Sequence, residues 1–317
     1  MVYRDVLEVI FQCLRGEIDS NEKFNIYILN LLQMNDLNDS ISNVNLFQDQ
    51  EKFCKYEDIL SRIKSELINF LKKTGIKDIV IWVSWWIDSA VDLSIASQVL
   101  STDHIHAIYM PTKFNSNESY ELAEKLANNL WIKLNVWPIQ DILKSFEDFS
   151  EKHLWKQLEW ISHENVQARI RWVILMNLAN NCNGLVINNS NKTELELWYW
   201  TLYWDLIWGI CLIWDLKKTE VYDLAKHINR EKEIIPQWII TRKASAELSQ
   251  WQVDPFDYDR DCDPVDELAF WDDVQSVAKK YGLDEEYVQS LKDRIERSKF
   301  KVTQIPPIVK ISDHPLK

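Results

Sequence analysis

The amino-acid sequence predicts an α/β fold, a doubly wound parallel sheet covered by helices on both faces. Two observations carry this expectation. From Tyr56 onward, apolar runs of strand length alternate with longer segments of helical periodicity, a pattern that implies right-handed crossovers between parallel strands. The chain is also 46% hydrophobic and 27% charged, enough apolar material to bury both faces of a sheet.

The elements follow in order. Val2–Leu14 and Lys23–Met34 have helical apolar spacing, and Asn35–Asn45, rich in Asn, Asp and Ser, reads as a loop. Residues 1–50 are therefore expected to form a helical N-terminal extension ahead of a main domain at 51–317. A helix at Asp58–Lys73 leads into a strand at Asp78–Val83 and a helix opening near Asp88. Further strands are expected at His106–Met110, Lys133–Pro138 and Leu185–Asn188, with helices at Glu118–Leu130, Glu164–Asn181 and Lys218–Asn229. Beyond Pro236 the periodicity weakens. Ser245–Asp266, acidic and carrying Pro255 and Pro264, reads as a long loop. Helices at Val265–Tyr281 and Glu285–Lys299 and an extended tail at Lys301–Lys317 complete the chain. Sheets of this type bind ligands at the carboxyl ends of their strands, so chemistry is sought in the loops that follow strands.

Composition excludes several classes of function. The 36 basic and 49 acidic side chains leave a net charge of −13, which argues against nucleic acid or a membrane surface as the main partner. No apolar run approaches the roughly 18 residues of a membrane span, and Arg4, Asp5, Glu8 and Arg15 interrupt any secretory signal. The five cysteines, Cys13, Cys54, Cys182, Cys211 and Cys262, form no Cys-x-x-Cys pair and read as reduced thiols of a cytoplasmic protein. One ratio is abnormal: five glycines stand against sixteen tryptophans, where a chain of this length carries about 22 glycines. Glycine is needed wherever φ is positive or backbone approaches backbone, so tryptophan is expected to stand at glycine positions.

The loop after the first strand reads Val83-Ser84-Trp85-Trp86-Ile87-Asp88-Ser89-Ala90. A strand turning directly into a helix aims free N–H groups and the positive dipole end at one spot, which favours a polyphosphate. Hydroxyls of Ser84 and Ser89 add donors, and Asp88 can hold Mg²⁺ on the phosphates. With Trp85 and Trp86 read as glycine the loop becomes S-G-G-I-D-S-A and resembles the pyrophosphate-binding loop of the ATP pyrophosphatase superfamily. A structural reading also stands, because Asp88 and Ser89 are good helix-capping residues.

A second stretch is more specific. Asn188-Asn189-Ser190-Asn191-Lys192-Thr193-Glu194-Leu195, then Trp198-Tyr199-Trp200-Thr201-Leu202-Tyr203-Trp204-Asp205 and Trp214-Asp215-Leu216-Lys217-Lys218-Thr219-Glu220, resemble in order the motifs of NAD synthetases. Met110-Pro111-Thr112-Lys113, Gln167-Ala168-Arg169-Ile170-Arg171, Ser245-Ala246-Glu247-Leu248 and Val309-Lys310-Ile311-Ser312 agree as well, so the resemblance runs roughly from Tyr56 to Ser312. It implies a Rossmann-like, three-layer adenine-nucleotide α-hydrolase fold. It also implies a ligase that amidates nicotinate adenine dinucleotide (deamido-NAD) to NAD, with ATP as co-substrate and Mg²⁺ as cofactor. The substrate carboxylate attacks the α-phosphorus of ATP, pyrophosphate leaves, and ammonia displaces AMP from the acyl-adenylate.

Carried over residue by residue, the resemblance makes Trp82, Val83, Ser84, Trp85, Trp86, Ile87, Asp88 and Ser89 the ATP loop and Asp88 and Glu194 the Mg²⁺ carboxylates. Lys218 reaches the ATP phosphates and is catalytic with Asp88, while Asn189 and Ser245 line the nucleotide site. Arg169, Asp205 and Lys301 contact the dinucleotide. Asn189 departs from the threonine usual there. Singly, Glu194 also reads as a first-turn helix residue, Lys218 as a solvated charge, and Arg169 with Arg171 as partners of surface acids. Glutamine-using members carry a large amidase domain before the synthetase, which fifty residues cannot hold, so ammonia is the expected donor. A separate glutaminase is the alternative, and a homodimer is expected.

At ten positions where this family has glycine the chain has tryptophan: Trp82, Trp85, Trp86, Trp131, Trp172, Trp198, Trp204, Trp208, Trp214 and Trp251. Such consistency predicts that UGA codons for glycine were read as tryptophan. If the indoles are genuine, the expectation changes to an inactive nucleotide-binding protein, with strain of about 1–3 kcal/mol at each positive-φ site.

Overall fold

The computed structural model describes residues 37–84, 86–154, 158–197, 201, 209–242, 256–270 and 273–298. The chain divides into two compact units, residues 1–55 and 56–317. Helix α1 (Leu37–Thr74) precedes β1 (Asp78–Trp82) and α2 (Ile87–Ser97). Then come β2 (Ile105–Tyr109), α3 (Asn117–Asn129), β3 (Leu134–Val136), α4 (Gln140–Leu154), α5 (Trp160–Cys182) and β4 (Gly184–Asn188). The short α6 (Lys192–Glu196), β5 (Ile210–Cys211), α7 (Lys218–Ile228) and α8 (Gln237–Thr241) follow, and α9 (Tyr258–Phe270), α10 (Val274–Tyr281) and α11 (Glu285–Ser298) end the described chain. Among the described residues no helix is long and apolar enough to cross a membrane.

All strand pairings are parallel, in the order β3-β2-β1-β4-β5. The chain runs outward from β1 through β2 to β3, then crosses to β4 on the other flank of β1. The carboxyl ends of β1 and β4 therefore border the switch point where such sheets hold ligands. Alternation along β1 separates two cores. Ile79 and Ile81 face a layer built from α1, α2, α3, α7 and α8, whereas Val80 joins Ile108 of β2 and Leu143, Ile170 and Leu175 of the α4–α5 layer. A third cluster, Val265, Leu268, Val277, Val288 and Leu291, ties α9, α10 and α11 together and takes in Leu197 just past α6.

Several sequence expectations change. Residues 37–45, within the segment expected as a loop, are helical, because α1 begins at Leu37; Asn35 and Asp36 lie outside the described residues. Helix α4 was not anticipated, nor β5, whose two residues are too few for any periodicity to register. Part of the supposed Ser245–Asp266 loop is helix α9, with Pro264 inside it. Burial of Tyr258, Cys262, Val265 and Leu268 on one face offsets the hydrogen bond the proline removes. The helix expected over Val265–Tyr281 is divided between α9 and α10. The elements expected at Val2–Leu14, Lys23–Met34 and Lys301–Lys317 lie outside the described residues.

Among the described residues four helices hand over to the next segment through a residue with positive φ: Gly75 (73°), Trp131 (58°), Asn183 (51°) and Gly282 (65°). Three are the residue types that tolerate the left-handed region, and the fourth is an exposed indole, 86% accessible. Its backbone closes α3 as glycine usually does, with Ile132 N donating to Ala127 O at 2.9 Å and Trp131 N to Asn128 O at 3.1 Å. A Cβ in this conformation costs about 1–2 kcal/mol, and the exposed ring recovers little by packing. Trp131→Gly should therefore raise the melting temperature by a few degrees; an unchanged or lower melt would show that position 131 has no need of glycine.

Candidate active site

The β1–α2 loop begins where β1 ends. Val83 N donates to Ile108 O at 2.8 Å, and the chain enters α2 through Trp86 in an extended conformation, φ −81° and ψ 148°. Val83 and Ile87 are buried in the core, which leaves only their backbone for a ligand. Ser84 and Ser89 shape the turn: their hydroxyls lie 3.0 Å apart, Ser84 N donates to Ser89 Oγ at 3.2 Å, and Trp86 N donates to Ser84 Oγ at 3.2 Å. Trp86 therefore needs no positive φ. Among the described tryptophans that the resemblance puts at glycine positions only Trp131 does, so among the described residues such strain falls there, and the Trp86 indole matters through the space it fills.

The loop meets the β4–α6 turn and α7 through charge. Asp88, from the first turn of α2, is 2% exposed. The buried Lys218 ammonium, at the start of α7, donates to Asp88 Oδ2 and to Glu194 Oε1, the latter at 3.0 Å. Lys218 is thus no solvated helix charge. Burial by itself lowers its pKa, but the Asp88 and Glu194 carboxylates outweigh that and raise it above the ordinary lysine value, so the ammonium stays charged. Trp86 and Tyr258 flank it, with ring centroids 4.9 and 5.2 Å from Nζ.

Asn191 joins the two carboxylate loops. Its Nδ2 donates to Asp88 Oδ1 at 2.9 Å, and its Oδ1 accepts from Glu194 N at 3.1 Å as the cap of α6. Lys218 N donates to Thr193 Oγ1 at 3.1 Å and Lys192 N to Leu216 O at 2.8 Å, which fastens α6 to the start of α7. Asn189 Nδ2 donates to Trp82 O at 2.8 Å, while its buried Oδ1 has no partner among the described residues. Asp92, one turn past Asp88, is fully buried, and neither carboxylate oxygen has a hydrogen-bond partner among the described residues. Burial first, and then the Asp88 charge, hold its carboxyl well above the usual range.

Two carboxylates that contact one ammonium are placed to contact one divalent cation, so the residues present fit Mg²⁺. Among the described residues no group of three or more His, Cys, Asp or Glu could hold a metal. A pair is in keeping with Mg²⁺, which takes one or two carboxylates plus phosphate oxygens and water. Asp88, Glu194, Lys218 and Asn189 thus gather at the carboxyl edge. Arg169 is half-buried on α5, in the layer packed against β1 and β4. Trp85, Asp205, Ser245 and Lys301 lie outside the described residues. Sequence reasoning gave Asn191, Asp92 and Tyr258 no role. The pattern Asn191-x-x-Glu194, a side-chain cap followed by an acid, is the signal that could have found the first.

Comparison with known proteins gives the family and the fold. The NAD synthase family profile matches residues 59–305. The glutamine-dependent NAD(+) synthetase of Aquifex aeolicus is 36% identical over 198 residues, 62% of this chain and 35% of that protein. The NH(3)-dependent NAD(+) synthetase of Chlorobium phaeobacteroides is 33% identical over 261 residues, 81% of this chain and 89% of that protein. The solved NH3-dependent NAD synthetase of Campylobacter jejuni superposes with a TM-score of 0.66 at 27% identity, covering 80% of this chain and 99% of that one. The chain spans less than half the length of the glutamine-dependent relatives, 35% to 47%. Because the profile takes in every described strand and both loops that carry the paired carboxylates, the chain belongs to the NAD synthase family.

Proposed function

We propose that this chain converts deamido-NAD to NAD with ATP and ammonia through an acyl-adenylate. The observation that carries the reading is the convergence of Asp88 and Glu194 on one buried cation at the carboxyl edge of the sheet. Mg²⁺ held by these carboxylates would neutralise phosphate charge during displacement at the α-phosphorus. The remaining work belongs to the protein. N–H groups at the start of α2 face the phosphates, Ser84 and Ser89 fix the loop, and Asn191 sets the orientation of Asp88. Lys218 supplies a donor to phosphate oxygens, while Asn189 Oδ1 is an acceptor within the nucleotide site. No side chain becomes covalently attached: the substrate carboxylate oxygen bonds to phosphorus as pyrophosphate leaves. Ammonia then bonds to the acyl carbon as AMP leaves.

The span shared with NH(3)-dependent relatives, 86% to 89% of their length, supports ammonia as donor. The similarity to glutamine-dependent relatives keeps a separate glutaminase as the second reading. A second copy of the chain as partner is supported by α4, which leaves Ile142, Phe146 and Phe149 exposed on one stripe. The purified chain, with glycine at the ten family positions, should form NAD, AMP and pyrophosphate from deamido-NAD, ATP, Mg²⁺ and ammonium, and glutamine should not replace ammonium. Equal rates with glutamine alone would overturn ammonia as donor.

A further inference from the structure

The motif Gln167-Ala168-Arg169-Ile170-Arg171 carries two arginines, and the second has no role above. The sequence leaves open that both pair with surface acids. Arg171 does not, because it is 1% exposed. Its Nε donates to Met110 O at 3.1 Å, immediately beyond the end of β2, and its guanidinium carbon lies 5.2 Å from the ring centroid of Trp82, the last residue of β1. The buried Nη1 has no hydrogen-bond partner among the described residues. Burial pulls the pKa down to about 10, and the titratable neighbour acting against that is the Tyr109 phenol, not a carboxylate.

A guanidinium buried without a counter-charge is costly, by several kcal/mol, and a hydrophobic side chain of similar length would fill the same space without that cost. The charge is carried on α5 but sits at the carboxyl ends of β1 and β2, the edge where this sheet type receives ligands, beside the strand that leads into the Ser84–Ser89 loop. A net charge of −13 gives no general attraction for anions, so an anionic ligand must be met by local cations. A planar guanidinium fork with a free N–H matches phosphate geometry. The covering ring belongs to residue 82, where the family has glycine.

We propose that Arg171 is a phosphate-binding residue of the nucleotide site, its counter-charge arriving with an anionic phosphate oxygen of ATP or of the dinucleotide substrate. This rests on the functional reading above. The Trp82 ring lies against the guanidinium, and glycine there would remove that neighbour.

The test measures binding of Mg-ATP, pyrophosphate and deamido-NAD separately, by calorimetry and by ligand-induced shift of the melt. It uses the full chain with residues 82, 85 and 86 either as tryptophan or as glycine. In the form that binds nucleotides, Arg171→Met should melt without ligand at or above the parent temperature and lose at least tenfold in affinity for one of the two nucleotides. Loss for ATP and pyrophosphate assigns the ATP phosphates; loss for deamido-NAD alone assigns the dinucleotide. If Arg171→Met does not fold, Arg171→Lys, which keeps the charge but not the fork, should fold and show a weakening of the same selectivity. Parent affinity for both nucleotides in a folded variant overturns the assignment of Arg171 alone. Failure of every parent form to bind either nucleotide overturns the functional reading, and this one with it.

Discussion

Asp88→Asn and Glu194→Gln should each slow adenylation by roughly two orders of magnitude or more, because losing one of two metal carboxylates removes about 3 kcal/mol of charge stabilisation at the transferring group. The rate is read as exchange of pyrophosphate into ATP with deamido-NAD present. Stability should fall as well. Carboxylates at a metal edge commonly repel one another in the absence of metal, but here Lys218 lies between them. Removing either one leaves the buried ammonium with a single partner. Complete loss of a partner to a buried charge costs about 3–5 kcal/mol, and the surviving carboxylate should hold the loss below that, so both variants should remain folded in metal-free melts. Near-normal exchange in either variant would remove that residue from the metal site.

The second large effect concerns the loop itself. Trp86 places its ring 4.9 Å from Lys218 Nζ, at the turn where phosphate would meet backbone N–H groups, and Trp85 precedes it. The joint variant Trp85→Gly/Trp86→Gly should raise pyrophosphate exchange by about 100-fold or more, since it opens the approach that donors to a developing charge require. Trp131→Gly, far along the chain at the end of α3, should change the melt and leave the rate alone. The pair of results separates space at the loop from strain in the backbone. UGA at codons 85, 86 and 131 would explain both. UGG there, with no gain from the joint variant, would favour an inactive nucleotide-binding protein.

The parts of the fold legible in the sequence are those with a long periodic signal. The strands β1, β2 and β4 were expected within one or two residues, because each is a buried apolar run in a parallel sheet. The first half of helix α9 was missed because Pro264 and a run of aspartates look like a loop locally, and only tertiary burial of Tyr258, Val265 and Leu268 reverses that. At the site, Asp88, Glu194 and Lys218 were legible as motif members, and the resemblance paired the two carboxylates, but the direct contact of Lys218 with both was not legible. Residues separated in sequence by 130 and 24 positions meet only through the crossover. Arg171 shows the same limit from the other side: its motif neighbour Arg169 is half-buried, whereas Arg171 is fully enclosed. Two positions of helical spacing decide that difference, and no composition or pattern states which face the helix will bury.

The most direct test of the account is pyrophosphate exchange into ATP by the folded chain carrying glycine at the ten family positions, measured with Mg²⁺ and with or without deamido-NAD. A site that adenylates the substrate carboxylate predicts rapid exchange that depends on deamido-NAD and requires Asp88. No exchange from a folded chain that binds both nucleotides, or exchange that proceeds equally without deamido-NAD, would contradict it.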